Sequence, residues 1–202
     1  MPQQSIVTLD VEGVLVPEIW IAVSERTGIA ELRRTTRDEP DYDRLMRFRL
    51  NLLAQHGLKM STIADVIAGM GPLPGAREFL DDLRSRTQVI LLSDTFEQFG
   101  RPLMEQLGWP TILCHQLVVE DDRIVNYQLR MADQKRHAVR ALKGLNYRVA
   151  AAGDSYNDTA MLAEADAGFL FHAPDNVIRE FPQFTALDTY EELSAHLLAA
   201  IA

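Results

Sequence analysis

The segment "SIVTLDVEGVLVPE" (Ser5–Glu18) begins like a buried strand and ends in a group of acids. Its apolar first part predicts a β-strand, and Asp10, Glu12 and Glu18 follow at or beyond the end of that strand. Desolvation and mutual repulsion both oppose a cluster of carboxylates beside a protein core. We therefore expect these acids either to face water or to surround a cation.

Similar apolar stretches recur along the chain, separated by amphipathic helical segments. They are rich in Val, Ile and Leu without regular alternation, as expected of strands buried on both faces. The stretches are "SIVTLD", "QVILLSD", "TILCHQL" and "YRVAAAGD", with a fifth candidate in "AGFLF". Alternating strands and helices predict an α/β fold with a doubly wound (Rossmann-like) parallel sheet. In such a sheet the ligand site lies beyond the carboxyl ends of the strands.

The interval 17–71 interrupts this alternation, because it contains helical patterns and no evident strand. We interpret it as a helical cap inserted after the first strand, with residues 1–16 and 72–202 forming the α/β core. A second insertion is expected in "LVVEDDRIVNYQL", where two strand-like runs flank an acidic turn and predict a hairpin.

Charge and cysteine content exclude several classes of protein. The 202-residue chain has a formal net charge of −9, which disfavours binding to nucleic acid and to anionic membranes. Cys114 is the only cysteine, so the chain cannot form an internal disulfide or a thiol cluster for zinc. We see no signal peptide and no apolar run of the roughly 20 residues that a transmembrane helix needs. We expect a cytoplasmic protein with a small-molecule ligand.

The acids after the first strand have chemical roles open to them. A carboxylate at a strand end, such as Asp10, can attack phosphorus as a nucleophile, although a lone Asp there can also be a turn residue. Glu12 can donate a proton to a leaving group if its pKa is held high enough. The alternative for Glu12 is a solvated loop acid.

A second acidic cluster, "GDSYND" (Gly153–Asp158), follows the fourth strand. Asp154 and Asp158 would share one face of a first helical turn. Acids at this position can act as helix caps, but two acids together with Asn157 exceed what capping requires. If the loops after the first and fourth strands meet, their acids converge beside the Glu12 backbone. An all-oxygen site of this kind suits Mg²⁺.

Two further positions can complete a phosphate site. Ser93 ends "VILLSD", where its hydroxyl and the following backbone N–H groups, beginning with Asp94, can hold phosphate oxygens. Ordinary turn chemistry explains a Ser-Asp pair equally well. Lys135 in "MADQKRHAV" can supply positive charge, but Arg136 beside it offers the same charge, and such a pair commonly lies in water.

Taken in order, these residues resemble the haloacid dehalogenase superfamily of aspartate-nucleophile phosphohydrolases. The family pattern is an Asp-x-Asp strand end, a Ser or Thr strand end, a Lys and a Gly-Asp-x-x-x-Asp cluster. The matching residues are Asp10-Val11-Glu12, Ser93, Lys135 and Gly153-Asp154 through Asp158. The cap position and "GDSYND" look like the phosphoserine phosphatase group. "DVEGVLVPEIW" and "LLSDTF" look closer still to the bifunctional phosphoserine phosphatase/homoserine phosphotransferase branch.

The resemblance implies an enzyme in which Asp10 attacks phosphorus and Glu12 serves as acid and then as base. It implies Mg²⁺ held by the side chains of Asp10 and Asp154 and by the Glu12 carbonyl. Asp158 and Asn157 would support that metal shell. Phosphate would be held by a separate set: Ser93, Asp94 and Lys135.

Substrate recognition is assigned to the predicted cap. Arg49 lies within the apolar stripe of the helix "DYDRLMRFRLNLLAQHG" and needs an anionic partner if it is buried. It can also extend to the surface or pair with a structural acid. The resemblance implies that Arg49 binds the substrate carboxylate and Glu18 its ammonium group. Phe96 and Asn157 would be further substrate contacts.

Two positions depart from the commoner family pattern. Glu12 stands where a second Asp is usual, and Asp94-Thr95 replaces a Gly-Gly pair, adding an acid near the phosphate. We expect Mg²⁺-dependent hydrolysis of O-phospho-L-serine through an aspartyl-phosphate, with transfer to homoserine left open, in serine and threonine biosynthesis. Alternatives are a phosphatase of another small phosphomonoester or a receiver-like phosphoacceptor domain. The oligomeric state also stays open, with a homodimer as one candidate.

Overall fold

One β-sheet lies at the centre of the molecule. The computed structural model describes residues 3–36, 38–39 and 41–202, and the strands in these ranges form a single sheet. They are β1 (Gln4–Leu9), β2 (Gln88–Phe96), β3 (Thr111–Glu120), β4 (Arg123–Gln128), β5 (Tyr147–Gly153), β6 (Ala167–Phe171) and β7 (Thr185–Leu187). Their order is β4-β3-β2-β1-β5-β6-β7, and every neighbouring pair is parallel except β3 and β4.

Helices cover both faces of the sheet. They are α1 (Ile19–Thr27), α2 (Tyr42–Gln55), α3 (Met60–Ala68), α4 (Ala76–Arg86), α5 (Glu97–Gln106), α6 (Gln134–Gly144), α7 (Thr159–Glu164), α8 (Asp175–Glu180) and α9 (Tyr190–Ile201). Val7 of β1 belongs to the hydrophobic cluster of α4 and α9, whereas Ile6 belongs to that of α6 and α7. Because successive strand residues enter different clusters, the predicted doubly wound α/β fold is confirmed. No helix in the described ranges is long and apolar enough to cross a membrane.

Three α-helices and a short 3₁₀ helix (Ala30–Arg33) lie between β1 and α4 in the described part of the chain. The α-helices coincide closely with the helical patterns of the sequence, and α1 ends at Gly28, whose φ of 74° is left-handed. α1 packs on α3, α3 on α5 and α2 on β4, so this helical group contacts the β2–β4 side of the sheet. The cap boundaries at 17 and 71 remain a prediction.

The strand β3 is longer than either stretch that predicted it. Its first part pairs in parallel with β2, and its second part pairs antiparallel with β4. "TILCHQL" and the first run of the predicted hairpin therefore form one continuous strand. The hairpin turn contains Asp121 and Asp122, both with positive φ, of 47° and 61°. A further strand, β7, is only three residues long and has no pattern that would reveal it.

The sheet order brings the predicted site loops together. β1 is flanked by β2 and β5, and Leu9 pairs with Leu91 on one side and Ala152 on the other. The next residue, Asp10, donates its backbone N–H to the Ala152 carbonyl at 3.0 Å. The loops after β1, β2 and β5 therefore meet at one edge of the sheet, below α1 and α2.

Candidate active site

A tight turn after β1 brings two acidic loops into contact. The Gly13 N–H donates to the Val16 carbonyl at 2.8 Å, and Gly13 has a φ of +81°. A Cβ added there would lie 2.5 Å from Asp154 Oδ2. Both the backbone conformation and the close approach of Asp154 therefore require glycine at this position.

Lys135 is the cation at the centre of the cluster. Its Nζ donates to Asp158 Oδ1 at 2.7 Å and to Asp10 Oδ1 at 2.8 Å, and lies 3.7 Å from Asp94 Oδ2. Burial alone would lower the pKa of Lys135, but these three carboxylates raise it well above its usual value. Arg136 instead pairs with Asp133 at 2.6 Å, which settles the choice between the two adjacent cations.

Asp158 supports the loop that carries Asp154. Its Oδ2 accepts the backbone N–H groups of Asp154 at 3.0 Å and Ser155 at 3.2 Å, while Oδ1 accepts from Lys135. A Cβ on Gly153 would lie 2.4 Å from the Asp158 Cγ, so this glycine is needed for the close contact. Both Asp158 oxygens are therefore engaged by protein donors.

The acids fit a hard divalent cation. One carboxylate oxygen from each of Asp10, Asp154 and Asp158 lies within 4.8 Å of the others. Burial and the neighbouring Asp158 raise the pKa of Asp10 well above its usual value, although Lys135 opposes this shift. A cation bound beside Asp10 would oppose this shift and favour the ionised carboxylate. Since Asp158 is occupied, Asp10 and Asp154 are the side chains best placed to hold such an ion.

Asp94 has a different environment from Asp10. Its carboxylate accepts from Asn157 Nδ2 at 2.9 Å and Gln134 Nε2 at 3.2 Å, and lies 3.5 Å from His115 Nε2. Burial would raise the pKa of Asp94, but Lys135 and these donors lower it below its usual value. Asp94 is therefore an ionised acid on the wall of the site.

Ser93 and its neighbours form the β2 side of the site. Ser93 is buried, and its Oγ accepts the Thr95 N–H at 3.2 Å. The Ser93 carbonyl accepts from Gln134 Nε2. Gln134 and His115 were not predicted from the sequence; the signals available were a polar residue beside Lys135 and a histidine in an apolar strand.

Glu12 turns away from the metal cluster towards the cap. Its Oε2 accepts the Ile19 N–H at 2.9 Å, at the start of α1. Burial raises the pKa of Glu12, while the Ile19 N–H, Arg49 and Thr95 act in the opposite direction. A carboxyl group with a raised pKa is suited to carry a proton near neutral pH.

Arg49 faces the site from α2 and is only 6% exposed. Its Nη2 donates to the Arg34 carbonyl at 2.8 Å, and its guanidinium carbon lies 4.6 Å from the centre of the Trp20 ring. Burial lowers the pKa of Arg49 to about 10, so the group stays charged at neutral pH. Within the described residues, Arg49 Nε has no hydrogen-bond partner.

A cavity between the strand ends and the cap joins most of the predicted residues. Those on its wall are Asp10, Glu12, Glu18, Arg49, Ser93, Asp94, Lys135, Asp154 and Asn157. Asp158 lies beneath it, bonded to Lys135. Phe96 is not on the wall: it is buried against Phe99 and His115, so the structure does not bring its ring to the substrate space. Unpredicted wall residues are Trp20, Thr35, Thr36, Tyr42, Thr95 and Ser155.

The side chain of Asn157 contacts Asp94 and Ser155, whereas the family resemblance implied that it would support the metal ligands. Its Nδ2 donates to Asp94, and its Oδ1 accepts from Ser155 Oγ at 2.5 Å. These contacts connect the loop after β5 with the loop after β2. Asn157 thereby connects the β5 and β2 sides of the cavity.

Comparison with known proteins agrees with this geometry. A family model described as haloacid dehalogenase-like hydrolase matches residues 5–166. The chain belongs to this family. The phosphoserine phosphatase ThrH of Pseudomonas aeruginosa is 63% identical over 96% of this chain and 96% of its own length. A phosphoserine phosphatase of Pseudomonas syringae pv. tomato is 62% identical over 96% of this chain and 83% of its own length.

A solved structure supports the fold of the family member described here. Phosphoserine phosphatase from T. onnurineus, in complex with NDSB-201, has a TM-score of 0.76 and 24% identity, covering 96% of this chain and 94% of that one. At this identity the likeness shows the fold alone. Together the comparisons confirm the predicted family, its α/β architecture and the assignment of the chain as an enzyme.

Proposed function

We propose that this enzyme hydrolyses O-phospho-L-serine to serine and phosphate. The observation that carries the proposal is the division of charge along one cavity. Asp10, directly after β1, and Lys135, in the first turn of α6, lie at one end, and Arg49 and Glu18 lie at the cap side. A phosphate group fits the first pair, and an amino-acid zwitterion fits the second. The 63% identity to a phosphoserine phosphatase supports the same substrate.

Asp10 is the proposed nucleophile. One of its carboxylate oxygens attacks phosphorus, the bond from phosphorus to the serine oxygen breaks, and phosphate becomes attached to Asp10. Glu12 donates a proton to the departing serine side-chain oxygen, which leaves as a hydroxyl group. Ser93 and Lys135 hold phosphate oxygens during this displacement and neutralise part of their charge.

Hydrolysis of the phosphorylated Asp10 completes the cycle. Glu12, now a carboxylate, takes a proton from a water molecule that attacks phosphorus, and the Asp10–phosphorus bond breaks. Asp10, Asp154 and the Glu12 carbonyl would hold Mg²⁺. When bound, this ion supplies positive charge to the transferring phosphoryl group.

Transfer of the phosphoryl group to homoserine is the second candidate. Homoserine is also an α-amino acid with a side-chain hydroxyl, so Arg49 and Glu18 can hold it as they hold serine. Its hydroxyl would replace water as the group that Glu12 deprotonates. Whether water or homoserine accepts the phosphoryl group thus depends on which of them occupies the cavity after serine leaves.

The first test measures turnover of phosphoserine with and without Mg²⁺ and homoserine, following free phosphate and phosphohomoserine. Arg49→Ala should raise KM for phosphoserine by about a hundredfold, because a desolvated charge-assisted pair is lost. Arg44→Ala is the matched control, since Arg44 lies on the same helix with its side chain 75% exposed. An Arg49→Ala enzyme with unchanged KM would contradict the amino-acid substrate.

A further inference from the structure

We propose that Trp20 is a positioning residue that orients the Arg49 guanidinium and thereby sets affinity for the substrate carboxylate. The inference rests on the proposed function, since it assumes that Arg49 binds this carboxylate. Trp20 takes no direct part in the proposed reaction. It acts on the substrate through the plane and position that it imposes on Arg49.

The indole of Trp20 is held rigidly. Trp20 lies in the first turn of α1, is 5% exposed, and forms part of the cavity wall. Its ring meets Phe99 edge-on, with 5.6 Å between the ring centres and an angle of 70°. Phe99 in turn meets Phe96 at 5.7 Å and 89°. This column of rings connects the end of β2 with Arg49 and gives Trp20 little freedom to tilt.

Arg49 depends on few other contacts for its orientation. The guanidinium carbon lies 4.6 Å from the Trp20 ring centre, and Nη2 donates to the Arg34 carbonyl. Nη1 has only a long contact of 3.8 Å with the Met46 sulfur. In the described part of the chain, no carboxylate forms an ion pair with Arg49, and Nε has no hydrogen-bond partner.

The planar geometry of the two groups gives Trp20 its effect. A guanidinium binds a carboxylate through two parallel N–H···O bonds only when the two planes nearly coincide. A cation stacked on an indole face is attracted to it and is prevented from rotating out of plane. One guanidinium face lies on Trp20, Nη2 is bonded to the Arg34 carbonyl, and Nε is buried without a hydrogen-bond partner among the described residues. Arg49 lies on the cavity wall, where a substrate carboxylate would supply the missing partner.

The test compares two substrates in Trp20→Leu and Trp20→Phe enzymes. Phosphoserine has a carboxylate, whereas O-phosphoethanolamine keeps the phosphate and ammonium groups and lacks it. We expect Trp20→Leu to raise KM for phosphoserine about tenfold, with kcat nearly unchanged and KM for phosphoethanolamine unaffected. Trp20→Phe keeps an aromatic face and should recover most of the affinity. An equal effect on both substrates, or none on phosphoserine, would overturn the proposal.

The Arg49→Ala enzyme and the double variant separate this inference from the proposed function. If Trp20 acts through Arg49, Trp20→Leu should add no further increase in KM once Arg49 is alanine. An effect of Arg49→Ala without one of Trp20→Leu would refute the role of Trp20 alone. No effect of Arg49→Ala would refute the proposed function. Circular dichroism checks folding, and if Trp20→Leu does not fold, Trp20→Met, which also lacks an aromatic face, replaces it in the same comparison.

Discussion

At the scale of single residues, three buried or half-buried acids of the site differ in pKa because their neighbouring groups differ. Asp94 faces Lys135 and several neutral donors, which lower its pKa despite burial. Burial and two acidic neighbours raise the pKa of Asp10, although Lys135 opposes them. Glu12 has mainly one backbone N–H, and burial raises its pKa. These different surroundings suit the three carboxyl groups to the roles proposed for them: a fixed anion, a nucleophile beside a metal ion and a proton carrier.

Replacing Glu12 tests the proton carrier. Glu12→Gln keeps the size of the side chain and an oxygen for the Ile19 N–H, but it cannot exchange a proton. We expect kcat for phosphoserine to fall about 10²- to 10⁴-fold. p-Nitrophenyl phosphate has a leaving group that needs no proton, so phosphorylated enzyme should accumulate with it. An unchanged kcat, measured by phosphate release, would contradict the role of Glu12.

Replacing Asp10 tests the nucleophile. Asp10→Asn preserves shape and removes the attacking oxyanion, so kcat should fall by about a thousandfold or more. Rapid quench with phosphorus-labelled phosphoserine should find labelled wild-type protein and no label on the variant. Asp81→Asn is the control, because Asp81 is a half-exposed acid on α4 that pairs with Arg77. Label on the Asp10→Asn protein would assign the nucleophile elsewhere.

The residues that sequence reasoning found are those with charge or a motif, and those it missed act through space. Asp10, Ser93 and Asp154 stand at or near the ends of β1, β2 and β5, so their meeting follows from the sheet order, and Lys135 reaches them from the first turn of α6. Gln134 and His115 bind Asp94 from α6 and β3. That contact depends on which strand lies beside β2, and the pattern of either segment alone contains no such information. Phe96 shows the converse, because its proximity in sequence to Ser93 did not place its ring in the cavity.

At the scale of elements, the β3–β4 hairpin contacts the cap helices. Asp122 accepts the Ser61 N–H and Ser61 Oγ at 2.8 and 2.7 Å, at the start of α3. The Tyr127 hydroxyl donates to Asp43 on α2. The hairpin therefore supplies the N-terminal capping oxygens that α3 lacks in its own sequence, since its N-cap residue is Lys59.

Removing this cap contact should loosen α3. Asp122→Gly deletes the accepting carboxylate without backbone strain, because Asp122 has a positive φ of 61°. We expect hydrogen exchange at the first amides of α3 to become about tenfold faster. Asp121→Gly is the matched control, since Asp121 has a φ of 47° in the same turn. Equal exchange rates in the two variants, measured by mass spectrometry, would show that the hairpin does not support the cap.

Sequence patterns predicted the elements better than their connections. The helices of the cap and the buried strands have clear periodicities, and their positions agree with the structure. The single long β3 was divided in the sequence interpretation because its environment changes along its length. The first part of β3 pairs with β2, and its second part pairs with the edge strand β4. Such a change of neighbour is a tertiary property.

At the scale of the whole molecule, the site concentrates negative charge in a chain already at −9. Four buried or half-buried acids, Asp10, Asp94, Asp154 and Asp158, surround the single amine of Lys135 in this cluster. Two features of the fold bring these acids together. β2 and β5 flank β1, and Gly13 and Gly153 allow Asp154 and Asp158 to approach the backbone closely. A bound divalent cation would relieve the repulsion, so metal binding and folding stability should be linked.

This linkage predicts a Tm that depends on Mg²⁺ and pH. At a Mg²⁺ concentration of about 100 Kd, binding should add about 2.7 kcal/mol, a rise of roughly 5–10 °C for a domain of this size. Asp154→Asn should lose most of that rise, and Asp81→Asn should keep it.

Without Mg²⁺, the raised pKa of Asp10 means that wild-type stability falls as pH rises from about 4 through the folded-state pKa. Asp10→Asn should lack this fall and be the more stable protein at pH 7 without metal. Thermal melts of the three variants across pH, with and without Mg²⁺, measure both effects, and a full Mg²⁺ response in Asp154→Asn would exclude Asp154 as a ligand.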